Sequence, residues 1–411
     1  MIDSGSTAWM LASSALVLLM VPGLALFYGG MVRGKNVLTT MMMSFVAMAV
    51  IGVQWVVLGY MLAFGKTIGG VVGWEPGLLC LWDIEPTRLY ADKGIPELVF
   101  VMFQGKFAII TPALISGAVA ERIRFRSYVA FCLIWSTLVY APLAHMVWAS
   151  DGWLFKLGVL DFAGGTVVHI SAGISALVLA LMLGPRRDVA RGTPILPNNL
   201  VLTLTGAGLL WFGWFGFNAG SAVAVESPVA GASAGLAFTT TQSAAAMAGL
   251  MWMLVERWHH GKVTSLGLAS GIVAGLVAIT PAAGHVRVWG ALLIGAASSL
   301  VCYGAVQLKT RFKYDDSLDA FGVHGIGGIL GALLTGVLCF QPVQGALFGN
   351  FGQLGKQFVG VGFAIVFAGA GTFLIASVLE KVWGLRVTEQ EERDGLDLHI
   401  HGERGYHFDQ T

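Results

Sequence analysis

Residues 161–183 read DFAGGTVVHISAGISALVLALML, an apolar run about as long as one membrane helix, with an aspartate at its start and one histidine, His169, inside it. A second run, 319–340, opens with DAFGVH and contains His324 in a similar place. An ionisable side chain inside a membrane helix is costly and usually marks an ion or proton path. The two runs together predict a membrane protein in which a pair of histidines serves one path.

Composition supports a membrane location. Of the 411 residues, 56% are hydrophobic and 11% are charged, whereas a soluble domain carries about 25% charged residues. The net charge of +1 excludes a strongly basic nucleic-acid binder, so we expect no nucleic-acid partner. The four cysteines lack the spacing of a metal site, and we expect no metal and no cofactor. They are Cys80, Cys132, Cys302 and Cys339.

Hydropathy predicts eleven membrane-spanning helices. A span needs about 20 mostly apolar residues, and eleven segments satisfy this requirement. They lie at roughly 8–30, 37–64, 98–120, 127–149, 162–183, 199–219, 230–255, 264–281, 287–308, 319–340 and 355–383. We therefore expect an all-α membrane protein with a transmembrane domain at 1–383 and a polar tail at 384–411.

The loops after every odd-numbered span are basic. They contain, for example, Arg33 after the first span, Arg122 after the third and Arg186 after the fifth. Cytoplasmic loops carry an excess of Lys and Arg. We therefore expect the N-terminus outside, the C-terminus in the cytoplasm, and the chain in the plasma or inner cell membrane.

The first ten spans divide into two sets of five, and an odd number of spans in each half requires the second half to be inserted upside down. Such inverted repeats often hold a site near the middle of the membrane. We expect helices 1–5 and 6–10 to form an inverted repeat, with helix 11 outside it. The two histidines then approach the midplane from opposite sides.

A pair of neutral imidazoles has useful chemistry. Each ring has one donor and one acceptor nitrogen, so two rings can share a hydrogen bond and still present a donor or a lone pair outward. That arrangement passes a proton or holds a small polar molecule. The alternative interpretation is that each histidine only bonds a helix backbone or a serine.

Aromatic residues form a second group. Phe103 and Phe107 lie four residues apart on one face of helix 3, and Trp148 closes helix 4. Aromatic faces attract cations, with Trp the strongest, but interfacial belts and core packing also use such rings. The residues alone leave both interpretations open. Helix 6 adds Trp211, Trp214, Phe215 and Phe217.

The chain resembles ammonium transporters of the Amt/Mep/Rh family, in the Amt branch. The resemblance covers essentially the whole chain and is carried by several distinct stretches. They are FYGGMVRGKN (27–36), ITPALISGAVAERIRF (110–125), DFAGGTVVH (161–169), GWFGFNAGS (213–221), FGVHG (321–325) and, in the tail, GLRV (384–387), DGLD (394–397) and HGE (401–403).

The resemblance implies an ammonium transporter that forms homotrimers with one pore in each subunit. It implies an external site that recruits ammonium by aromatic rings and a hydroxyl oxygen, supported by a carboxylate that does not touch the ion. The residues at these positions are Phe103, Phe107, Trp148, Ser221 and the supporting Asp161.

Further along the implied pore, Phe107 and Phe217 match a stacked phenyl gate. His169 and His324 match twin histidines that relay a proton, and Asp319 matches a structural aspartate of the second repeat. The implied mechanism is that ammonium loses its proton, ammonia crosses a hydrophobic pore, and the proton crosses separately, through the histidine pair or through local water.

The resemblance also implies a PII-type signal protein bound at the cytoplasmic face, with the tail at 384–411 as a regulatory element. Two other functions remain open. One is a sensor that binds ammonium with little flux, and the other is a Rh-like gas channel, although Trp148 and the tail favour the Amt branch. An enzyme is disfavoured because we find no nucleophile–base motif.

Lys106 departs from the family pattern, because a neutral residue is expected between Gly105 and Phe107. A lysine near a helix end can extend its ammonium group to the membrane surface. If it pointed into the external site instead, it would repel ammonium. We expect the first arrangement.

Overall fold

The computed structural model describes residues 1–91, 93–225 and 228–406, and these residues are nearly all helical. Within the predicted tail, 407–411 lie outside the described residues. Eleven long helices occur in the described part. They are α1 Ser4–Met31, α2 Gly34–Phe64, α3 Glu97–Val119, α4 Phe125–Leu157, α5 Gly165–Leu183, α6 Leu200–Ala222, α7 Pro228–His260, α8 Ser265–Ile279, α9 Val288–Phe312, α10 Phe321–Leu338 and α11 Phe351–Trp383.

Nine of the described helices are long and apolar enough to cross a membrane. The other two are α7, which is rich in Ala, Ser and Thr, and α8, which has 15 residues. The predicted class, an all-α membrane protein with many spans, is therefore confirmed. The count of eleven spans and the sides of the two termini stay predictions.

The segment between α2 and α3, residues 65–91 and 93–96, is called the outer segment here after its predicted side of the membrane. It contains two short antiparallel strands, β1 Thr67–Ile68 and β2 Val72–Gly73. The outer segment continues through a short helical turn at Pro76–Leu81. Leu78, Ile84 and Ile95 are buried in it, so it packs on the helix bundle rather than extending into solvent.

The two histidines lie in matching local structure. His169 is in a π-helical turn, Gly165–Ile170, at the start of α5, and His324 is in another, Phe321–Gly325, at the start of α10. Single π turns within helices are frequent at functional sites. The match between the two halves agrees with the predicted repeat.

Close packing of α5 against α10 brings the two turns together. A Cβ atom on Gly173 would lie 2.2 Å from the backbone nitrogen of Gly325, so only a glycine permits this approach. Small residues at membrane helix crossings allow backbones to come this near. The crossing point lies one helical turn beyond His169 and next to His324.

Carboxylates cap both histidine helices. Asp161 accepts hydrogen bonds of 2.6–3.0 Å from four successive backbone N–H groups, Gly164 to Val167. In the second half the equivalent contacts belong to Asp316, which accepts from the backbone of Ala320 and Phe321 at 3.0 and 2.7 Å.

The sequence comparison of Asp161 with Asp319 therefore selected the wrong residue of the second half. Asp319 has a left-handed backbone, with φ of 60°, directly before the helix. Its carboxylate forms an ion pair with Lys309 instead. An acceptor for helix N–H groups has to come from a few residues earlier, as Asp316 does. The structural role predicted for Asp319 stays a prediction.

A buried ion cluster joins the loops that follow α1, α3, α5 and α9. Glu121, after α3, pairs with Arg33, after α1, at 3.0 Å and with Arg186, after α5, at 2.8 Å. Arg186 also pairs with Asp315, after α9, at 2.8 Å. These loops therefore meet on one face of the bundle, which agrees with the predicted alternation of spans. We call it the basic face.

The tail folds back onto the basic face. Its backbone pairs with the loop after α3, because Arg124 donates to Leu385 at 2.7 Å and Val387 donates to Arg122 at 3.0 Å. A short helix, α12 Glu389–Asp394, follows and begins with a capping box. Beyond it, Asp397 accepts the backbone N–H groups of 38 and 39 at 3.0 and 2.7 Å.

The buried cluster predicts a specific acid sensitivity. Burial alone would raise the pKa of Glu121, but Arg186 and Arg33 lower it to about 2. Burial would likewise raise the pKa of Asp315, but Arg186 lowers it to about 2. A carboxyl group whose pKa is lowered by folding stabilises the protein above its unfolded pKa, and this contribution is lost as the pH falls to the folded pKa.

We expect the unfolding temperature of the wild type to drop as the pH is lowered from about 4.5 to about 2. In Glu121→Gln this part of the drop should be smaller, because the titrating group is gone, and the variant should be less stable at pH 7 by about 3 kcal/mol. Thermal unfolding in detergent, followed by tryptophan fluorescence, measures both. Equal acid sensitivity of the two proteins would contradict the assignment.

Candidate functional site: an outer cavity, a phenyl gate and a histidine pair

An outer cavity of about 150 Å³ opens on the face opposite the basic face. It lies among the ends of α2, α4 and α6 and the start of α3. Three of the predicted recruitment residues line it, together with residues that sequence analysis did not select. The lining consists of Phe64, Tyr90, Phe100, Gln104, Phe107, Trp148, Phe162, Ser221 and Val223.

Trp148 is held in a fixed orientation at the cavity. Its indole N–H donates to the backbone carbonyl of Asp161 at 3.0 Å. Its ring meets that of Phe107 edge-on, with 5.9 Å between centroids. Asp161 thus contacts Trp148 through its backbone and the start of α5 through its carboxylate, and it does not line the cavity.

Two oxygen atoms at the cavity are available to a donor. The Ser221 hydroxyl donates to the Phe217 carbonyl at 2.8 Å, and a hydroxyl oxygen that donates keeps its lone pairs. The amide oxygen of Gln104 is buried and has no hydrogen-bond partner among the described residues. A ligand with N–H groups would donate a hydrogen bond to this oxygen.

Phe103, predicted as a recruitment residue, does not line the cavity. Its side chain is fully buried and packs against Phe107, with 4.9 Å between centroids. The ring fills the space beside Gly220, where a Cβ atom would lie 2.8 Å from Phe103. In this structure Phe103 therefore supports Phe107 from behind, and its predicted role in recruitment stays a prediction.

The predicted phenyl gate closes the inner end of the cavity. The rings of Phe107 and Phe217 are stacked, with centroids 4.1 Å apart and planes inclined by 27°. Both side chains are almost completely buried. Phe107 borders the outer cavity, and Phe217 borders a second cavity on the other side of the gate.

The two histidines meet in that inner cavity. Their Nδ1 atoms are 3.3 Å apart, and their rings are nearly parallel, with centroids separated by 5.3 Å. A hydrogen bond between these atoms requires one ring to donate and the other to accept. The Nε2 atom of His169 is buried without a partner among the described residues.

The inner cavity offers about 10 Å³, about enough for one water-sized molecule. Apart from the two imidazoles, its lining is apolar or aromatic. The lining consists of Met20, Leu24, Phe27, Ile110, Leu114, Val168, His169, Leu210, Trp214, Phe217, Val273 and His324. A small neutral molecule fits this environment far better than a desolvated ion.

Lys106 is partly buried and is not among the residues that line the outer cavity. No ion pair or hydrogen bond joins it to another residue in the described part of the chain. Leu98 and Met102, on the same side of α3, are also partly exposed. Lys106 therefore lies on a partly exposed side of α3 and outside the lining of the cavity, in agreement with the expected orientation.

Comparison with known proteins agrees with the geometry. The model of the Ammonium Transporter Family matches residues 8–406. An ammonium transporter of Aquifex aeolicus (strain VF5) is 49% identical over 412 residues, covering 99% of this chain and 94% of that protein.

Two solved structures have similar folds. The crystal structure of Saccharomyces cerevisiae Mep2 is 35% identical with a TM-score of 0.86, covering 95% of this chain and 88% of that chain. A structure described as a sensor Amt protein is 30% identical with a TM-score of 0.88, covering 96% of this chain and 98% of that chain. On this evidence the chain belongs to the Ammonium Transporter Family, a family of multi-pass membrane transport proteins rather than enzymes.

Proposed function

We propose that this protein recruits ammonium at the outer cavity, removes its proton near the phenyl gate, and conducts ammonia past the histidine pair while the proton crosses separately. The observation that carries the proposal is the uninterrupted series of contacts from the cavity to the histidines. Phe107 borders the outer cavity, Phe217 stacks on Phe107, and His169 lies 6.0 Å from Phe217 between ring centroids.

Recruitment follows from the chemistry of the cavity. The aromatic faces of Phe107 and Trp148 attract a cation, by up to about 2 kcal/mol when it is desolvated. The oxygen atoms of Ser221 and Gln104 accept hydrogen bonds from N–H groups, which ammonium has and potassium lacks. We therefore assign Phe107, Trp148 and Ser221 to recruitment as predicted and add Gln104. Asp161 orients Trp148 and the start of α5.

Selectivity follows from the apolar interior. Ammonium and potassium carry the same charge and have nearly the same size, so a charged filter would separate them poorly. A potassium ion cannot lose a proton, and the desolvated ion is excluded from a cavity this apolar and this small. Ammonium passes this barrier because it crosses as ammonia.

The histidine pair supplies the proton relay in this proposal. One imidazole donates its Nδ1 proton to the other, which leaves an acceptor at one end of the pair and a donor at the other. The unpartnered Nε2 of His169 faces the inner cavity and accepts a proton or holds ammonia. Movement of the proton through His169 and His324 makes transport electrogenic.

We further propose that the protein is a homotrimer of the cell membrane with a cytoplasmic C-terminus, and that a PII-type signal protein binds the basic face. The tail from 384 onward then acts as a regulatory element of the transmembrane domain at 1–383. Support comes from its contacts, since Asp397 caps the second helix and Arg386 and Arg187 contact Glu392. A partner that moves the tail would move helix ends.

The second candidate function is a sensor that binds ammonium with little flux. The similarity to a sensor Amt protein favours it, and the same cavity would serve for binding. The stacked phenyl gate is compatible with both functions, because a gate has to open for transport and stays closed in a receptor.

Uptake by proteoliposomes separates transport from binding alone. Ammonia that crosses the lipid alone alkalinises vesicles loaded with a pH dye. When ammonium is added, we expect vesicles that contain purified protein to have a lower internal pH than protein-free vesicles, because the protein carries the proton as well, and we expect no response to the same concentration of potassium. Saturation of the rate with ammonium concentration would indicate a recruitment site. An ammonium response identical to that of protein-free vesicles would reject transport.

A further inference from the structure

The outer segment carries one ring into the outer cavity. Tyr90 lines the cavity and stacks on Phe100, with centroids 3.5 Å apart and planes inclined by 12°. Phe100 in turn meets Phe64 edge-on at 5.0 Å. The cavity therefore has an aromatic outer wall made by a loop residue in addition to the rings supplied by the membrane helices.

The position of Tyr90 is fixed by the backbone. Its N–H donates to the carbonyl of Ile95 at 3.0 Å, and Glu97 N–H donates to the carbonyl of Arg88 at 2.8 Å. Residues 88–90 thus pair antiparallel with residues 95–97, and we call this pair the hairpin. Ile95 is completely buried and anchors it.

Charged contacts hold the base of this hairpin. The Arg88 guanidinium pairs with Glu97 at 2.5 Å, and Glu97 also accepts the Tyr60 hydroxyl at 2.8 Å. Glu97 lies in the first turn of α3, the helix that carries Phe107. These contacts therefore tie the hairpin to α3, the helix that also contributes Phe107 to the proposed cation site.

We infer that Tyr90 is a specificity-determining wall of the ammonium site, where its ring contributes attraction for the cation and its bulk limits the size of the cation that fits. This inference rests on the proposed function. An aromatic ring attracts a cation through its face, and the ring of Tyr90, paired with Phe100, borders a space of about 150 Å³. Alkylammonium ions would need more of that space.

Three substitutions separate attraction from bulk. Tyr90→Phe keeps the ring and removes the hydroxyl, Tyr90→Leu keeps apolar bulk and removes the ring face, and Tyr90→Ala removes both. Trp82→Ala is the matched control, because Trp82 belongs to the same outer segment, is 84% exposed and does not line the cavity.

Two measurements are needed. The first is binding to purified protein in detergent, from the shift of unfolding temperature with ammonium chloride or methylammonium chloride, against potassium chloride. The second is the ratio of methylammonium to ammonium uptake in proteoliposomes. Binding in detergent tests Tyr90 even if the protein does not transport, so a failed transport assay and a failed inference remain distinguishable.

We expect Tyr90→Ala and Tyr90→Leu to weaken ammonium binding by about threefold to tenfold, while Tyr90→Phe and Trp82→Ala bind as the wild type does. In Tyr90→Ala alone, the preference for ammonium over methylammonium should fall. If Tyr90→Ala binds both ions as the wild type does, the inference is wrong. It is also wrong if Tyr90→Phe binds ammonium as weakly as Tyr90→Ala does, because the hydroxyl would then be responsible. A Tyr90→Ala variant that lowers only the maximal uptake rate and leaves binding and the uptake ratio unchanged would likewise contradict it.

Discussion

Replacing His169 by alanine is expected to abolish the sustained ammonium current of reconstituted protein. The substitution removes one half of the 3.3 Å contact between Nδ1 atoms and the unpartnered Nε2 in the inner cavity. A positioned proton donor or acceptor contributes about 100-fold or more to a rate, so the loss should exceed 100-fold. Solid-supported-membrane current after an ammonium pulse measures it.

His260→Ala is the control for the histidine relay. His260 is exposed at the end of α7 and has no contact with the inner cavity, so its current should equal that of the wild type. Both variants should show a cooperative thermal unfolding transition, which would establish that each is folded. A His169→Ala current that remains large and still distinguishes ammonium from potassium would remove the histidine pair from the proton route.

Replacing Asp161 by alanine should have the second large effect, on stability as well as on recruitment. Four buried backbone N–H groups lose their acceptor, and an unsatisfied buried group costs about 1–3 kcal/mol. The sum is on the order of 4 kcal/mol even after some of the groups find water. Ammonium binding should weaken because the backbone around residue 161 shifts once the start of α5 loses its cap, and the Trp148 indole donates to the carbonyl of that residue.

Asp316→Ala is the matched comparison, because Asp316 accepts two N–H groups at the start of α10 on the basic face. It should lower the unfolding temperature less than Asp161→Ala does and leave ammonium binding at the outer cavity unchanged. Binding and unfolding temperature are measured on the same samples. Equal loss of ammonium binding in both variants would show that Asp161 acts only through general stability.

Much of the fold could be predicted because membrane helices have a strong sequence signal. In lipid the backbone N–H and C=O groups of each apolar run need hydrogen-bond partners, which a helix supplies. The basic composition of the loops indicated that they share one face of the bundle. The predicted ends differ from the observed ones by a few residues in places, for example 355 against Phe351 for the start of α11. Helix ends depend on local caps and loop contacts, which hydropathy does not report.

The parts of the site that could be predicted are those in which a rare residue in an apolar helix, or a matching motif, indicated the position directly. The histidines and the stacked pair Phe107 and Phe217 fall where the resemblance placed them. The direction of Phe103 was not predictable, since it depends on the space left by Gly220 on another helix. Tyr90 was missed because a loop residue reaches the cavity only through tertiary contacts.

The sequence also contains a repeated tetrapeptide that relates its two halves. The tetrapeptide ITPA occurs at 110–113 in α3 and again at 279–282 at the end of α8, the third helix of each half. In both copies the threonine hydroxyl donates to the carbonyl four residues earlier, Thr111 to Phe107 and Thr280 to Leu276. This repeat is stronger support for two related halves than the comparison of Asp161 with Asp319.

We propose that the protein transports ammonium with net charge rather than only binding it. The most direct test is the transient current of purified protein in liposomes after an ammonium pulse, at two protein densities, with a potassium pulse as control. We expect a current that decays faster at higher protein density and is absent with potassium, because a larger number of conducting proteins fills each vesicle sooner. A small current whose decay does not change with density would contradict it, since that is the signal of ammonium binding without conduction.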